Sequence, residues 1–336
     1  MRTVVSTNHN YNGGLRLEDL MQRYDPELLA VLETFPSTSL VNWDDLPATR
    51  QATGEMLKMM LAGSPDSPNV SKEDRLVPGP EGAPQVPVRV YRPRVSTGIL
   101  PVLFWIHGGG YILGSLEQDD TTMQHIVETV GCAAVSVEYR LAPEHPFPAP
   151  VEDCYAALKW TYDNASELGV DPNRIAVSGG SAGGGLAASL VLLARDRGEV
   201  PVSYQLLIYP MIDNLNSSPS CKEFAEAAIW SRRDNQGGWN AYLGASNNVE
   251  ASPYAAASRA TDLSNLPPTF IAVGSLEVFL DEDVDYALRL AHAGVPVELH
   301  VYPCAFHGFD GLAATSALAQ RFHEDRDQAL KRALNP

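Results

Sequence analysis

The stretch of sequence that decides the fold is Gly179-Gly-Ser-Ala-Gly183. A strand-like run at 174–178 precedes it, and a helix-like run at 187–195 follows it. A G-x-S-x-G sequence in this position predicts a sharp turn with Ser181 at its apex, because the glycines leave room for a strained backbone and a closely packed helix. The serine hydroxyl would then lie near a helix N-terminus, whose free N–H groups favour developing negative charge. A glycine-rich loop with an incidental serine is the alternative that the pentapeptide alone leaves open.

A second glycine motif, His107-Gly-Gly-Gly-Tyr111, directly follows the apolar run Ile99–Ile106. Successive glycines let backbone N–H groups approach the oxyanion that an acyl-transfer site must stabilise. A phosphate-binding loop fits less well, because neither G-x-G-x-x-G nor G-x-x-x-x-G-K-[ST] is present. The predicted oxyanion hole consists of this loop and the residue after the nucleophile: Gly109, Gly110 and Ala182 as N–H donors, with Gly108 shaping the turn.

Together with two further stretches, these motifs resemble the hormone-sensitive-lipase family of α/β-hydrolases, in its bacterial esterase branch. The further stretches are Tyr139-Arg-Leu-Ala-Pro-Glu-His-Pro-Phe-Pro148 and Ala305-Phe-His-Gly-Phe309. The resemblance implies an α/β-hydrolase fold and a serine carboxylesterase that hydrolyses short- to medium-chain acyl esters through an acyl-enzyme. It implies a small-molecule ester as substrate and no metal or organic cofactor. Dimers are common in the family, so a homodimer is compatible with the resemblance.

Two other functions stay open from the sequence alone. One is a ligand-binding receptor built on a disabled hydrolase, which the presence of both Ser181 and His307 argues against. The other is a hydrolase that cleaves amides, lactones or carbamates, because the same catalytic groups serve all of these reactions.

Apolar strand-like segments alternate with helical patterns in most of the chain. This alternation predicts an α/β fold with a mainly parallel sheet covered by helices on both faces. The predicted strands are Val86–Tyr91, Pro101–Ile106, Ala133–Glu138, Arg174–Ser178, Gln205–Tyr209, Phe270–Gly274 and Val297–Tyr302.

Two segments outside this alternation predict a helical cap. Residues 1–70 contain helical patterns and form the predicted N-terminal part of the cap. Residues 71–336 are the predicted catalytic domain, and an insertion at about 212–250 would complete the cap. The cap is expected over the carboxyl ends of the strands, where open α/β sheets bind their ligands.

The predicted general base is His307, in the loop after the last predicted strand. A serine hydroxyl is a poor nucleophile unless a base removes its proton during attack. The adjacent Gly308 suits a side chain that reaches over the edge of the sheet towards Ser181. The other histidines are interpreted as structural or surface groups: His107 beneath the glycine loop, His300 within the last strand, and His292 and His323 on polar helices.

The acid of the triad is predicted after Phe270–Gly274, because α/β-hydrolases carry Ser, acid and His in that order. The resemblance aligns Glu277 with an Asp of many relatives, and a glutamate can serve if the loop accommodates one more methylene. Asp281 is the alternative acid, although it matches the family's second acidic residue and is interpreted as a helix cap. Asp213 fits only a rearranged topology. Gly180 is a second departure, since many relatives carry Asp there, and it leaves the subgroup open.

Charge and composition exclude several classes of partner. The net charge of −17 over 336 residues argues against nucleic acid and anionic membrane surfaces. No apolar run is long enough to span a membrane and the N-terminus lacks a signal-peptide core, so a cytoplasmic protein without a membrane span is expected. The four cysteines show no metal-ligand spacing, and Cys132 and Cys154 are predicted to be buried free thiols.

Overall fold

The computed structural model describes residues 21–35, 39–63, 65–96, 98–227, 229–244 and 250–335. Within them, the centre of the fold is one eight-stranded sheet. Its strands are β1 (Val70–Val77), β2 (Val86–Pro93), β3 (Leu100–Ile106), β4 (Ala133–Val137), β5 (Val170–Gly180), β6 (Tyr204–Ile208), β7 (Thr269–Gly274) and β8 (Val297–Tyr302).

The strands lie in the order β1-β2-β4-β3-β5-β6-β7-β8. β2 pairs antiparallel with β1 and with β4, and all other neighbours are parallel. Every residue of β4, β6 and β7 is buried, as expected for strands covered on both faces. The predicted mainly parallel α/β sheet is therefore confirmed.

The seven predicted strands are all present, and β1 is the strand that the sequence patterns did not predict. Only Val70 and Val77, its two end residues, are buried, and the residues between them are polar except for the exposed Leu76. An edge strand of this kind lacks the apolar run that identifies a covered strand. β5 is also longer than predicted, because it begins at Val170 rather than at Arg174.

Helices flank the sheet, and the most buried of them is the one that follows Ser181. This helix is buried continuously from Ala182 to Ala194. The described helices are α1 (Pro26–Leu32), α2 (Leu46–Leu61), α3 (Asp120–Ile126), α4 (Ala149–Asp163), α5 (Ala165–Leu168), α6 (Ala182–Arg197), α7 (Pro219–Glu223), α8 (Arg232–Leu243), α9 (Leu280–His292), α10 (Phe309–Leu312) and α11 (Ala317–Leu334). None of these described helices combines the length and apolar character needed to cross a membrane.

The segment before α2 contacts the helix α8 that lies between β6 and β7. Ser39 Oγ and Trp43 Nε1 donate hydrogen bonds to Asp234 Oδ1 at 2.6 and 3.1 Å. Asp234 is fully buried and also forms a capping box with Ser231, the N-cap residue of α8. These two parts of the predicted cap are thus joined through one buried carboxylate. Residues 1–20, 36–38, 64, 228 and 245–249 of the predicted cap lie outside the described residues.

The parallel register brings the two glycine motifs together. Ile106 of β3 lies opposite Gly179 of β5, and Gly180 lies opposite Ile208 of β6. The carboxyl ends of these strands therefore meet at one edge of the sheet. The glycine loop leaves β3 directly beside the turn that carries Ser181.

Candidate active site

Ser181 occupies a strained turn between β5 and α6. Its backbone has φ 57° and ψ −122°, a conformation that non-glycine residues rarely adopt. Three backbone hydrogen bonds hold it there: its N–H donates to Ile208 O at 2.9 Å, and its carbonyl accepts from Gly185 N at 2.9 Å and from Met211 N at 3.0 Å. A Cβ added at Gly183 would lie less than 3.0 Å from the carbonyl oxygen of Ile106. The predicted role of the glycines in this turn is therefore supported by the packing.

The structure brings Ser181, His307 and Glu277 into one hydrogen-bonded chain. Ser181 Oγ lies 3.0 Å from His307 Nε2, and His307 Nδ1 lies 2.6 Å from Glu277 Oε2. A proton on Nδ1, donated to the carboxylate, leaves Nε2 free to accept the serine proton. The rings of Tyr209 and Phe279 pack edge-on against the imidazole, at centroid distances of 4.6 and 5.1 Å. The imidazole is thus held by packing as well as by hydrogen bonds.

The loop after β7 accommodates the extra methylene of Glu277. Glu277 is 1% exposed, and its Oε1 accepts a hydrogen bond from Gly274 N at 2.7 Å. A Cβ at Gly274 would lie 3.0 Å from that oxygen and 2.5 Å from Ala305 O. Glycine at this position therefore lets the longer carboxylate fold back onto the end of the strand.

The alternative acids are engaged elsewhere. Asp281 Oδ2 accepts from Ser220 N at 2.5 Å, and Ser220 Oγ accepts from Asp281 N at 3.2 Å. Asp281 therefore caps a helix, but that helix is the neighbouring α7, whose first turn its carboxylate binds, because Phe279 is the N-cap of α9. Asp213 pairs with Arg259.

The glycine loop lies directly against the serine turn. A Cβ at Gly108 would lie 2.9 Å from the carbonyl oxygen of Gly180. Gly109 and Gly110 have φ values of 118° and 61°, which favour glycine. Trp230 covers Gly110 so closely that a Cβ there would lie less than 3.0 Å from its indole ring. The glycines of the loop line the same cavity as Ser181, and the buried Ala182 begins α6 directly after it.

His107 lies beneath this loop, as predicted. It is fully buried, its ring stacks on Tyr139 at a centroid distance of 4.2 Å, and its Nδ1 lies 2.8 Å from Gly108 O. Burial lowers the pKa of His107 to about 4, so the ring stays neutral near pH 7. A neutral, enclosed imidazole that contacts the backbone of the loop fits a structural role.

Two of the other histidines lie where the sequence patterns indicated, and one does not. His300 is half-buried on β8 and contacts Glu298 at 2.9 Å, and His292 is exposed on α9. The surface interpretation of His323 is wrong, because this residue is partly buried and lines the cavity above Ser181. Burial lowers the pKa of His323, and the nearby Arg326 lowers it further.

A cavity of about 900 Å³ opens onto Ser181 and His307, and its two sides differ in chemistry. One side is apolar and is lined by Leu40, Val41, Leu57, Leu113, Ile229 and Trp230. The other side is polar and is lined by Gln118, Asp119, His125, Asp310, His323 and Arg326. Sequence reasoning did not identify these cavity residues, because they belong to no motif and come from separate segments of the chain.

The structure also shows the surroundings of Gly180 and of two cysteines. A Cβ at Gly180 would meet the Tyr209 ring at 3.6 Å, an ordinary contact distance, so this position has room for a Cβ. Cys132 and Cys154 are buried free thiols, as predicted. Among the residues that the structure describes, no group of three or more His, Cys, Asp or Glu side chains is arranged to hold a metal ion.

Comparison with known proteins places the chain in a family. Residues 103–311 match the alpha/beta hydrolase fold family. The chain therefore belongs to the α/β-hydrolases. It is 39% identical to carboxylesterase NlhH of Mycobacterium tuberculosis over 313 residues, which span 93% of this chain and 96% of that protein. It is 36% identical to esterase LipI of the same species, over 86% of this chain and 88% of that protein. The chain is thus a carboxylic ester hydrolase of the hormone-sensitive-lipase group.

Solved structures agree with this assignment. Bacterial heroin esterase superposes with a TM-score of 0.90 at 43% identity, covering 94% of this chain and 99% of that one. Esterase LipW from Mycobacterium marinum superposes with a TM-score of 0.84 at 35% identity, covering 94% of this chain and 98% of that one. The similarity therefore extends over almost the whole chain.

Proposed function

We propose that this esterase hydrolyses short- to medium-chain acyl esters by a two-step mechanism in which Ser181 is the nucleophile, His307 the general base and Glu277 the acid that orients it. The observation that carries the proposal is the continuous hydrogen-bonded chain from Ser181 Oγ through His307 to Glu277. Its serine end opens into a large cavity. Hydroxyl, imidazole and carboxylate in this order are the groups that acyl transfer requires.

In the first step Ser181 Oγ attacks the ester carbonyl carbon while His307 Nε2 takes the hydroxyl proton. The carbonyl oxygen becomes an oxyanion, which the N–H groups of Gly109, Gly110 and Ala182 stabilise. The Glu277 carboxylate stabilises the imidazolium that forms. His307 then gives its proton to the leaving alcohol oxygen as the C–O bond breaks, and the acyl group stays on Ser181.

In the second step water replaces the alcohol. His307 removes a proton from the water as its oxygen attacks the acyl carbon, and the oxyanion forms again in the same place. The proton then returns to Ser181 Oγ as the acyl–oxygen bond breaks. The acid leaves, and the enzyme is restored without any other reagent.

The preference for short and medium acyl chains is supported by the apolar side of the cavity. Trp230 covers Gly110 and is only 7% exposed, and its Nε1 donates to Asn235 at 3.3 Å. A rigid indole beside the oxyanion loop closes the space into which an acyl chain would extend. Burial of each additional methylene group favours binding until the acyl chain reaches this wall. Longer chains would have to displace the indole ring.

We also propose that residues 1–70 and about 212–250 act together as a cap over this cavity. Leu40, Val41 and Leu57 from the first segment, and Ile229 and Trp230 from the second, line the cavity. Asp234 joins the two segments through Ser39 and Trp43. Such a cover would exclude bulk water and would strengthen the electrostatic interactions at the site.

The test is hydrolysis of a series of p-nitrophenyl esters by the wild-type protein and by Ser181→Ala. The wild type should hydrolyse the acetate and butyrate esters best, and the variant should lose this activity. Ser166→Ala is the matched control, because Ser166 is exposed on α5, at the opposite end of β5 from Ser181. Stoichiometric labelling of Ser181 by an organophosphate should accompany the activity. A fully active Ser181→Ala protein would refute the assignment.

A further inference from the structure

The cavity wall beside His307 carries two carboxylates that the proposed mechanism does not use. Asp310 follows His307 by three residues, and its Oδ1 accepts a hydrogen bond from Tyr209 OH at 2.7 Å. Asp119 Oδ2 accepts one from Trp105 Nε1 at 2.7 Å. Both carboxylates line the cavity. The side chain of Gln118 also hydrogen-bonds to Asp119, whereas the hydrogen bond from Tyr209 leaves the second oxygen of Asp310 available to a ligand.

The mechanism determines which part of the ester meets this wall. His307 Nε2 must reach the leaving alcohol oxygen in order to protonate it, so the alcohol part has to lie on the His307 side. Tyr209, whose ring packs against His307, connects this side directly to Asp310. Trp230, by contrast, packs against Gly110 of the oxyanion loop. The two carboxylates therefore face the alcohol part of the substrate.

Neither carboxylate is neutralised within the described part of the chain. No lysine, arginine or histidine there lies within ion-pair distance of Asp119 or Asp310. The cation that lines the same side, Arg326, binds Asp327 at 2.8 Å, and His125 also contacts Asp327 at 2.8 Å. The two carboxylates thus have no ion-pair partner of their own, although Asp310 interacts electrostatically with His323, and the net charge of the whole chain is −17.

The surroundings of Asp119 make its ionisation sensitive to a bound cation. Burial raises the pKa of the Asp119 carboxyl to about 7, and the charges of Asp310 and Asp120 also raise it. The hydrogen bond from Trp105 has the opposite effect and lowers this pKa. Arg326, His125 and His323 are the basic groups on the same side of the cavity. A positive charge placed beside Asp119 would favour the carboxylate form.

Aromatic surfaces complete the subsite. Trp105 and Tyr209 both line the cavity, and each donates the hydrogen bond that orients one of the two carboxylates. An organic cation is attracted to the face of an aromatic ring as well as to carboxylates. A strongly hydrated metal ion would gain less from such a wall than an alkylammonium group.

We propose that this wall, formed by Asp119, Asp310, Trp105 and Tyr209, is a subsite for an ammonium group on the alcohol part of the ester. The inference rests on the proposed function, since it takes His307 as the group that protonates the leaving alcohol. It assigns to this esterase a preference for esters of amino alcohols over esters of neutral alcohols of the same shape.

The test compares acetylcholine with 3,3-dimethylbutyl acetate, which has the same shape but carries carbon in place of the charged nitrogen. In the wild type, kcat/KM for the cationic ester should exceed that for the neutral ester by roughly tenfold. Asp119→Asn and Asp310→Asn should each bring this ratio down towards one. A general loss of activity in a variant lowers both kcat/KM values equally and cancels in the ratio, because both esters use the same catalytic groups.

The matched control is Asp285→Asn, which removes one negative charge from an exposed position of α9. It should keep the wild-type ratio. A second measurement needs no variant: the wild-type ratio should be higher at pH values above the pKa of Asp119, about 7, than below it. Neither test ester titrates in this range, so the change reports on the protein.

The outcomes separate the subsite from the function on which it rests. If the wild type hydrolyses the neutral ester and the ratio is one or less, the subsite is refuted and the proposed function stands. A ratio that neither variant changes, or that is the same above and below pH 7, would also refute it. If neither ester is hydrolysed and an organophosphate does not label Ser181, the proposed function fails, and the subsite fails with it.

Discussion

Replacing Glu277 by glutamine tests the arrangement of the site most directly. Glutamine has the size of glutamate, but its amide must satisfy two neighbours at once. Gly274 N–H needs an acceptor, at 2.7 Å in the native protein, so the amide oxygen should take the place of Oε1. The NH₂ group would then face His307 Nδ1, which lies 2.6 Å from Oε2 in the native protein. Nδ1 would have to accept a hydrogen bond, and the proton would move to Nε2. The imidazole could then no longer accept the serine proton.

The magnitude follows from the distance between the two charges. For unit charges 2.6 Å apart and an effective dielectric constant of about 20, the interaction is about 6 kcal/mol. Loss of that stabilisation of the imidazolium corresponds to roughly 10⁴-fold in rate. We therefore expect kcat for p-nitrophenyl acetate to fall by about 10⁴ in Glu277→Gln, with KM changed much less, because the cavity wall is unaltered.

Asp281→Asn is the comparison variant, since Asp281 binds Ser220 N and contacts no group of the proposed triad. We expect its kcat to stay close to that of the wild type and its thermal unfolding temperature to fall. Circular dichroism of both variants would establish that they fold. Nearly full activity in Glu277→Gln, together with collapse in folded Asp281→Asn, would refute the assignment of the acid.

Three further predictions follow from individual contacts. Trp230→Ala should raise kcat/KM for p-nitrophenyl octanoate relative to the acetate by roughly tenfold, because the wall of the apolar side is removed; an unchanged chain-length profile would contradict this. Gly183→Ala should lower the free energy of unfolding by about 2 kcal/mol or more, because its Cβ would overlap the carbonyl oxygen of Ile106, whereas Gly180→Ala, which has room, should not; chemical denaturation checks both. Burial raises the pKa of Glu138 to about 7, so this group contributes stability below the pKa of the unfolded state, and the contribution is lost as the pH rises through about 7. Glu138→Gln should therefore reduce the fall in unfolding temperature between pH 5 and pH 8, and an identical fall in both proteins would rule out this cause.

The parts of the fold that were predictable are those governed by local patterns. Covered strands such as β4, β6 and β7 need an apolar side chain at nearly every position, and this pattern is visible in the chain. Strand β1 was missed for the same reason, because an edge strand with a polar interior carries no such pattern. The two glycine motifs could also be recognised from the sequence, since a strained turn and a close backbone approach restrict the residue type locally.

The sequence by itself determined the fold class, the serine turn, the glycine loop and the order in which nucleophile, acid and base follow one another. Only the tertiary structure decided which groups meet. The contact between Ser181 and His307 joins residues 126 positions apart, and Asp281 could be separated from Glu277 only by its hydrogen bond to Ser220. The polar wall of the cavity depends on the tertiary structure still more completely. Asp119 and Asp310 come from distant segments without a motif, and His323 looked like a surface residue. Their chemistry arises from shared burial and mutual electrostatic influence, and these exist only after the chain has folded.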